Sequence, residues 1–190
     1  MKTIDIIHDE HRALASVLQA LRFIVDGIRE GRMRPDFRLL SAMVDYITQV
    51  PEKVHHPKED DYLFPKLRSR SQEAAELIDT LEEQHKDGYR MTNALLQALI
   101  HYQSVGAPGF AGFDELVQEY LDFNWKHLNL EERELLPLAR RALGEDDWRE
   151  LDAEFSANFD PYKGAAGEYA ELFRKIVNLT PAPYGLGSAV

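Results

Sequence analysis

The chain has 190 residues, no cysteine and a formal net charge of −11 at pH 7. This acidic balance argues against nucleic-acid binding, which needs a clustered basic surface to neutralise phosphates. The lack of cysteine excludes disulfides, thiolate ligands and iron–sulfur clusters, so a metal would have to be bound by histidines and carboxylates.

Hydrophobic residues make up 44% of the chain and charged residues 29%, as in ordinary soluble globular proteins. The first ten residues turn polar too early for the apolar centre of a signal peptide. No apolar run approaches the length of a membrane span. We therefore expect a cytoplasmic protein with neither a membrane nor nucleic acid among its partners.

The first predicted helix begins at Thr3, a plausible N-cap, and carries apolar residues three and four positions apart. This spacing is typical of a helix that packs in a bundle, and His11 occupies one of its core positions. Residues 31–35 break the pattern. The second helix is predicted over about residues 36–67, with a kink or break expected at its three prolines, Pro51, Pro57 and Pro65.

Ser71 is the predicted N-cap of the third helix, whose inward face again includes a histidine, His85. Residues 104–112 form the most obvious loop, because they are rich in glycine and proline. The fourth helix is predicted over about residues 113–143. Four long helices with short connections favour an all-α fold, an up-down-up-down four-helix bundle over residues 1–145.

Beyond residue 145 the apolar pattern becomes shorter. Two additional C-terminal helices are predicted, over about residues 146–159 and 165–178, separated at Asp160-Pro161. Neither contains a histidine. Residues 146–190 are therefore interpreted as a helical extension that packs on the bundle or forms the surface of a homodimer.

Two segments of the chain share a pattern that suits a metal. His55 is followed four residues later by Glu59, and the same pair, His127 with Glu131, recurs 72 residues along the chain. A histidine and a glutamate at this spacing lie on one face of a helix, and both side chains can bind a metal ion. Each pair is therefore half of a possible metal site.

A lone histidine precedes each pair, and the two lone residues are 74 residues apart. An internal repeat of two helices each is the simplest explanation. The predicted helix lengths place all these side chains at about one height, where they would form a two-metal site with open positions for an external ligand. The predicted metal ligands are His11, His55, Glu59, His85, His127 and Glu131.

Other assignments remain open at this point. His8 and His56 lie beside predicted ligands in the sequence and are interpreted as supporting or solvated residues rather than ligands. An alternative pairs His56 with Asp60, although the common spacing of the two motifs favours the original pairing. A ferritin-like site, suggested by the Glu-x-x-His sequences at Glu52 and Glu82, needs further core glutamates.

The order His, His-x-x-x-Glu, His, His-x-x-x-Glu resembles the pattern of the hemerythrin-like, HHE cation-binding family over about residues 3–143. The resemblance implies two iron ions in a non-haem di-iron centre with carboxylate and oxo or hydroxo bridges. It also implies binding of, or reaction with, dioxygen, nitric oxide or peroxide, in an oxygen or redox response or in iron handling. Manganese or zinc is the alternative metal.

The resemblance is closer to some branches of that family than to others. The oxygen carriers use a further histidine and replace one glutamate by aspartate. This chain looks more like the bacterial members linked to iron–sulfur repair and stress responses, but it contains no cysteine. The alternative function is a non-catalytic metal- or oxygen-responsive binding module, and the sequence assigns no catalytic residue.

Overall fold

The computed structural model describes residues 1–157 and 165–187, and the regular elements in this part of the chain are helical. The all-α class predicted from the sequence is confirmed. The break predicted at Asp160-Pro161 lies outside the described residues. Among the helices described, none is long and apolar enough to cross a membrane.

The first long helix, α1 (Lys2–Arg29), is followed by Gly31, which adopts a φ of 70°. The next, α2 (Phe37–Val50), begins after Asp36. The Asp36 carboxylate accepts hydrogen bonds from the backbone N–H groups of Arg38 and Leu39, which the first helical turn would otherwise leave unpaired.

The helical run then continues to Arg70, but two of its turns are wider than an α-helical turn. These are the first π-turn (Pro51–His55) and the second π-turn (Glu59–Leu63). The short α3 (His56–Lys58) lies between them, and α4 (Phe64–Arg70) follows. The sequence predicted a kink or break at the prolines. The structure has widened turns there, within a continuous helical run.

The third long helix, α5 (Ala75–Val105), follows a short 3₁₀ turn, and Ser71 makes no side-chain capping hydrogen bond. The fourth, α6 (Phe110–Leu130), continues through the third π-turn (Glu131–Leu135) into α7 (Leu136–Ala142). The loop predicted over residues 104–112 was too long. Only residues 106–109 separate α5 from α6, because Gly106 turns the chain with a φ of 70° and a 3₁₀ turn leads directly into α6.

Each π-turn stands just before a proline in the following helix. A proline ring within an α-helix clashes with the carbonyl group four residues earlier. In all three cases that carbonyl belongs to the middle residue of the π-turn: Lys53 for Pro57, Asp61 for Pro65 and Arg133 for Pro137. The wider turn relieves this clash, so the helix continues through its proline.

The four long helices pack in a closed ring, since α1 and α5 each contact both α2 and α6. Their buried apolar side chains form two clusters. Along α1, Ile7 belongs to one cluster and Leu14 to the other, with His11 between them. The predicted metal ligands therefore lie in a polar layer between two apolar regions.

The C-terminal helices α8 (Glu145–Ala157) and α9 (Ala165–Leu179) pack against this ring. α8 contacts α1 and contributes Phe155 to the cluster that contains Ile7, while α9 contacts α2 and buries Ile176 in the other cluster. The Asp152 carboxylate accepts hydrogen bonds from the backbone N–H and the hydroxyl of Thr3, each at 2.7 Å. Both apolar clusters thus extend into the C-terminal segment.

Candidate metal centre

Four histidines on four helical segments bring one ring nitrogen each to a common centre. All four are buried, and Nε2 of His11 lies 3.0 Å from Nε2 of His55. The inward nitrogens of His85 and His127 are buried without a hydrogen-bond partner. The structure thus brings together the four histidines that the sequence predicted as ligands.

The outward nitrogen of each ring, Nδ1, meets a side-chain oxygen. The partners are Glu132 for His11 at 2.6 Å, and Glu10 for His55, Asp60 for His85 and Gln84 for His127, each at 2.9 Å. A carboxylate or an amide oxygen only accepts, so Nδ1 donates in each case and Nε2 is the nitrogen available to a metal. Metal-binding histidines are oriented by such outer hydrogen bonds.

Glu59 and Glu131 supply the carboxylates, and both are fully buried. None of their four oxygens has a hydrogen-bond partner among the residues that the structure describes. Glu131 lies 3.1 Å from Nε2 of His11 and 3.4 Å from Nε2 of His127, and Glu59 lies 3.4 Å from Nε2 of His55. Ligands held about 2.0–2.2 Å from one ion also lie roughly 3 Å apart.

The feature of these carboxylates that indicates a metal ion is their lack of hydrogen-bond donors among the described residues. Removing one ion from water into a protein interior costs several kcal/mol unless it is paired and hydrogen-bonded. Glu59 and Glu131 lie between two apolar clusters and receive no such bonds. A bound cation would supply the missing compensation, and the donor set of imidazoles and carboxylates suits one.

The ligand atoms fall into two adjacent groups that could each hold a metal ion. One contains His11, His55 and both glutamates, and the other contains His85, His127 and a further histidine, His56. His56 is buried, with 8% of its surface exposed, and its ring stacks on that of His85 with centroids 3.8 Å apart. Its Nδ1 has no hydrogen-bond partner.

The interpretation of His56 as a solvated residue was therefore wrong, since its side chain is buried. That prediction assumed a regular α-helix, in which successive residues are turned by about 100°. The first π-turn ends at His55, directly before His56, and changes the direction of the following side chains. Both His55 and His56 consequently point into the core.

The other sequence alternatives fall outside this cluster. His8 is partly exposed and lies 3.2 Å from Glu132. Asp60 accepts the hydrogen bond from His85 and is partly exposed, so it is not paired with His56 as a ligand. Glu10, Asp60, Gln84 and Glu132 were not predicted to orient the ligands, although Asp60 and Glu132 directly follow the two predicted glutamates.

In the metal-free protein, the pKa values of some of these histidines are raised and that of another is lowered. Burial opposes the charged form of His11, but the negative charge of Glu131, 3.1 Å from Nε2, and the hydrogen bond from Nδ1 to Glu132 outweigh it and raise its pKa to about 10. The same competition, with Asp60 as the acceptor and with the negative charges of Glu131 and Glu59 nearby, raises the pKa of His85 to about 10. Burial instead lowers the pKa of His127 to about 4.

The pKa values of the two buried carboxylates also shift in opposite directions. Burial and the charge of Glu131 raise the pKa of Glu59 well above its usual value. Burial acts on Glu131 in the same direction, but His127, His11 and His85 outweigh it and hold the pKa of Glu131 well below its usual value. Protons and positive imidazoles therefore balance the negative charge while no metal is present.

The hemerythrin HHE cation-binding domain family matches residues 2–139. The chain belongs to this family. No curated protein and no solved structure matches it. Its family binds metal cations, and the matched residues contain every histidine and glutamate of the buried cluster.

A cleft of about 650 Å³ lies beside the second ligand group and is lined by His56 and His85. Two cations at this cleft are paired, Lys86 with Glu83 at 3.2 Å and Arg90 with Asp87. The carboxylate of Glu52 also lines the cleft, and burial raises its pKa to about 7. The cleft borders the buried second ligand group at His56 and His85, and its lining carries charges of both signs.

Metal binding should release protons at pH 7. His11 and His85 have pKa values of about 10 without metal, so both are protonated and at least two protons must leave when their Nε2 atoms bind metal. Metal affinity should accordingly rise as pH increases from 7 towards 10 and level off above that. Calorimetric titration in buffers of different ionisation enthalpy measures the proton count.

His101 is exposed and lies away from the cluster, so His101→Ala is the matched control and should release the same number of protons as the unsubstituted protein. Metal binding at pH 7 with no proton release would contradict the protonated state of His11 and His85.

Proposed function

We propose that this protein is a non-haem di-iron protein that binds or reacts with dioxygen, nitric oxide or peroxide. The observation that carries the proposal is the pair of fully buried carboxylates, Glu59 and Glu131, whose oxygens face imidazole nitrogens and receive no hydrogen bond. Iron at this position would supply a change of oxidation state and open coordination positions.

The proposed scaffold is an up-down-up-down four-helix bundle over residues 1–145. The closed ring of contacts among α1, α2, α5 and α6 supports it, as do the short connections from α1 to α2 and from α5 to α6. Residues 146–190 form the proposed extension, supported by the packing of α8 and α9 on α1 and α2.

The two metal positions are assigned to the two ligand groups. His11 and His55 would hold one ion, and His85, His127 and His56 the other, with Glu59 and Glu131 shared between them. His56 is a fifth histidine beyond the six ligands predicted from the sequence. With three histidines, the second position has fewer coordination places left than the first.

Iron is favoured over zinc by the type and number of ligands. Structural zinc sites are closed and four-coordinate, and many use thiolates, which this chain does not have. Two adjacent groups of imidazoles around shared carboxylates instead suit a redox-active pair of ions. Manganese has similar ligand preferences and is the alternative in the same site.

The residues of the chain prepare the site for a small ligand. The outer hydrogen bonds to Nδ1 hold each imidazole in one orientation, and the two apolar clusters keep bulk water from the carboxylates. The cleft beside His56 and His85 gives access. Since its cations are already paired with acids, it suits a small uncharged ligand better than an anion.

A non-catalytic metal- or oxygen-responsive module is the second candidate. It is favoured by the contact between the site and α8, in which the buried Lys58 ammonium lies 5.7 Å from the centre of the Phe155 ring. A change at the metal could reach the C-terminal segment through this contact. The homodimer expected from the sequence stays a prediction.

Metal content tests the centre itself. We expect two iron ions per chain after expression in iron-replete cells. Each ion should stabilise the fold by about 2.7 kcal/mol at a hundred times its Kd. In a chain of this size that raises the Tm by roughly 5 to 11 °C. Glu131→Gln should lose both the metal and this stabilisation, because it removes a shared carboxylate.

Elemental analysis, Mössbauer spectra and thermal melts with and without chelator measure these effects. Glu134→Gln is the matched control, since Glu134 lies on the same π-turn but is exposed. One zinc ion per chain, or no metal, would falsify the di-iron proposal.

The fifth histidine is tested by His56→Leu, which places there the residue found at the equivalent position 128. The ion at His85 and His127 should be bound more weakly, so metal content should fall from two ions towards one. Equilibrium dialysis against increasing chelator measures the loss. The control is His8→Leu, which should retain both ions; equal retention in His56→Leu would remove His56 from the ligand set.

Turnover is separated from binding by following nitric oxide or peroxide in the presence of a reductant. A di-iron enzyme should consume many equivalents of one of them per chain, whereas a responsive module should take up about one and stop. Glu131→Gln, which lacks the metal, provides the background rate. Consumption equal to that background, with no spectral change on adding the ligand, would count against both functions.

A further inference from the structure

The two halves of the metal centre differ in what supports their paired histidines. Nδ1 of His55 donates to a carboxylate oxygen of Glu10, whose other oxygen accepts from the Lys58 ammonium. Nδ1 of His127 donates instead to the neutral amide oxygen of Gln84. In the internal repeat, Gln84 stands where the first half has Glu10, and Leu130 stands where it has Lys58.

The other outer hydrogen bonds do not show this difference. The lone histidines of both halves, His11 and His85, donate Nδ1 to carboxylates at 2.6 and 2.9 Å. Glu52 lies 3.6 Å from Nδ1 of His56, which is too far for a hydrogen bond. The charged groups that distinguish the halves are therefore Glu10 and Lys58, in place of which the second half has Gln84 and Leu130.

We propose that Glu10 and Lys58 make the metal position at His11 and His55 different from the one at His85 and His127. His55 has an ionised hydrogen-bond acceptor, where His127 has only a neutral amide. The proposal rests on the two-metal centre proposed above. It adds that the surrounding side chains make the two ions inequivalent.

The physical reason is the charge behind the ligand. A carboxylate that accepts from Nδ1 draws positive charge towards itself and makes Nε2 a stronger donor to the metal than an amide does. The more highly charged ion, which for iron is the ferric ion, is therefore favoured at His11 and His55. The ion at His85 and His127 is correspondingly easier to keep ferrous.

Lys58 makes this arrangement possible within the core. It is among the largest fully buried side chains, with 1% of its surface exposed. An unpaired carboxylate at Glu10 would be costly in this setting, and the ammonium compensates it. Lys58 is in turn placed close to the face of Phe155, where a cation is favoured. Glu10 and Lys58 are thus positioning residues that act through His55.

The test exchanges the supporting residues between the halves. Glu10→Gln with Lys58→Leu gives the first half the pair found in the second, and leaves no unpaired charge. Gln84→Glu alone places a carboxylate behind His127 and removes no group, so it remains informative if the double variant folds poorly. Metal-free protein is titrated with Co²⁺ by visible absorption, and the exchangeable imidazole N–H signals are followed by paramagnetic NMR.

In the double variant one of the two binding constants should fall by roughly tenfold to hundredfold, with the other unchanged. Gln84→Glu should raise the other constant by a similar factor, and each variant should move the N–H signal of a different histidine. If both constants change together, or neither changes, the inference is overturned while the centre stands. Fewer than two Co²⁺ per unsubstituted chain would instead overturn the two-metal centre, and this inference with it.

Discussion

The structure depends on how the buried negative charge of Glu59 and Glu131 is balanced. These carboxylates lie in a layer between two apolar clusters, and no residue of the described part of the chain donates a hydrogen bond to their oxygens. In the metal-free protein the balance comes from protonated His11 and His85, whose pKa values are about 10, while burial and the charge of Glu131 raise the pKa of Glu59. In the proposed centre, a pair of metal ions would replace these protons, so folding and metal binding would be linked through the same atoms.

The histidines are fixed by residues close to the ligands in sequence. Asp60 and Glu132 each follow a ligand glutamate, yet each accepts a hydrogen bond from a histidine of the opposite half. Glu10 and Gln84 stand directly before His11 and His85 and hold the paired histidines. Each half of the repeat therefore orients ligands that the other half supplies, and the site is complete only when both halves pack.

Much of the fold and the site could be predicted from the sequence, because the repeat and the helical spacing are regular. The positions of His11, His55, His85 and His127 followed from core spacing, and the two glutamates from their distance to the paired histidines. His56 could not be placed in this way, since its direction depends on a π-turn and not on α-helical periodicity. The loop over residues 104–112 was overestimated because glycine and proline there lie largely within helical turns.

The prolines keep the three π-turns at fixed positions in the chain more firmly than hydrogen bonds alone would. A π-turn in an ordinary helix can migrate or disappear when one residue slips into α-helical register. Here such a slip would drive the ring of Pro57, Pro65 or Pro137 against the carbonyl four residues earlier. In the two helical runs that contain these turns, the direction of the side chains around Glu59 and Glu131 is thus held by covalent ring geometry, whether or not a metal ion is bound.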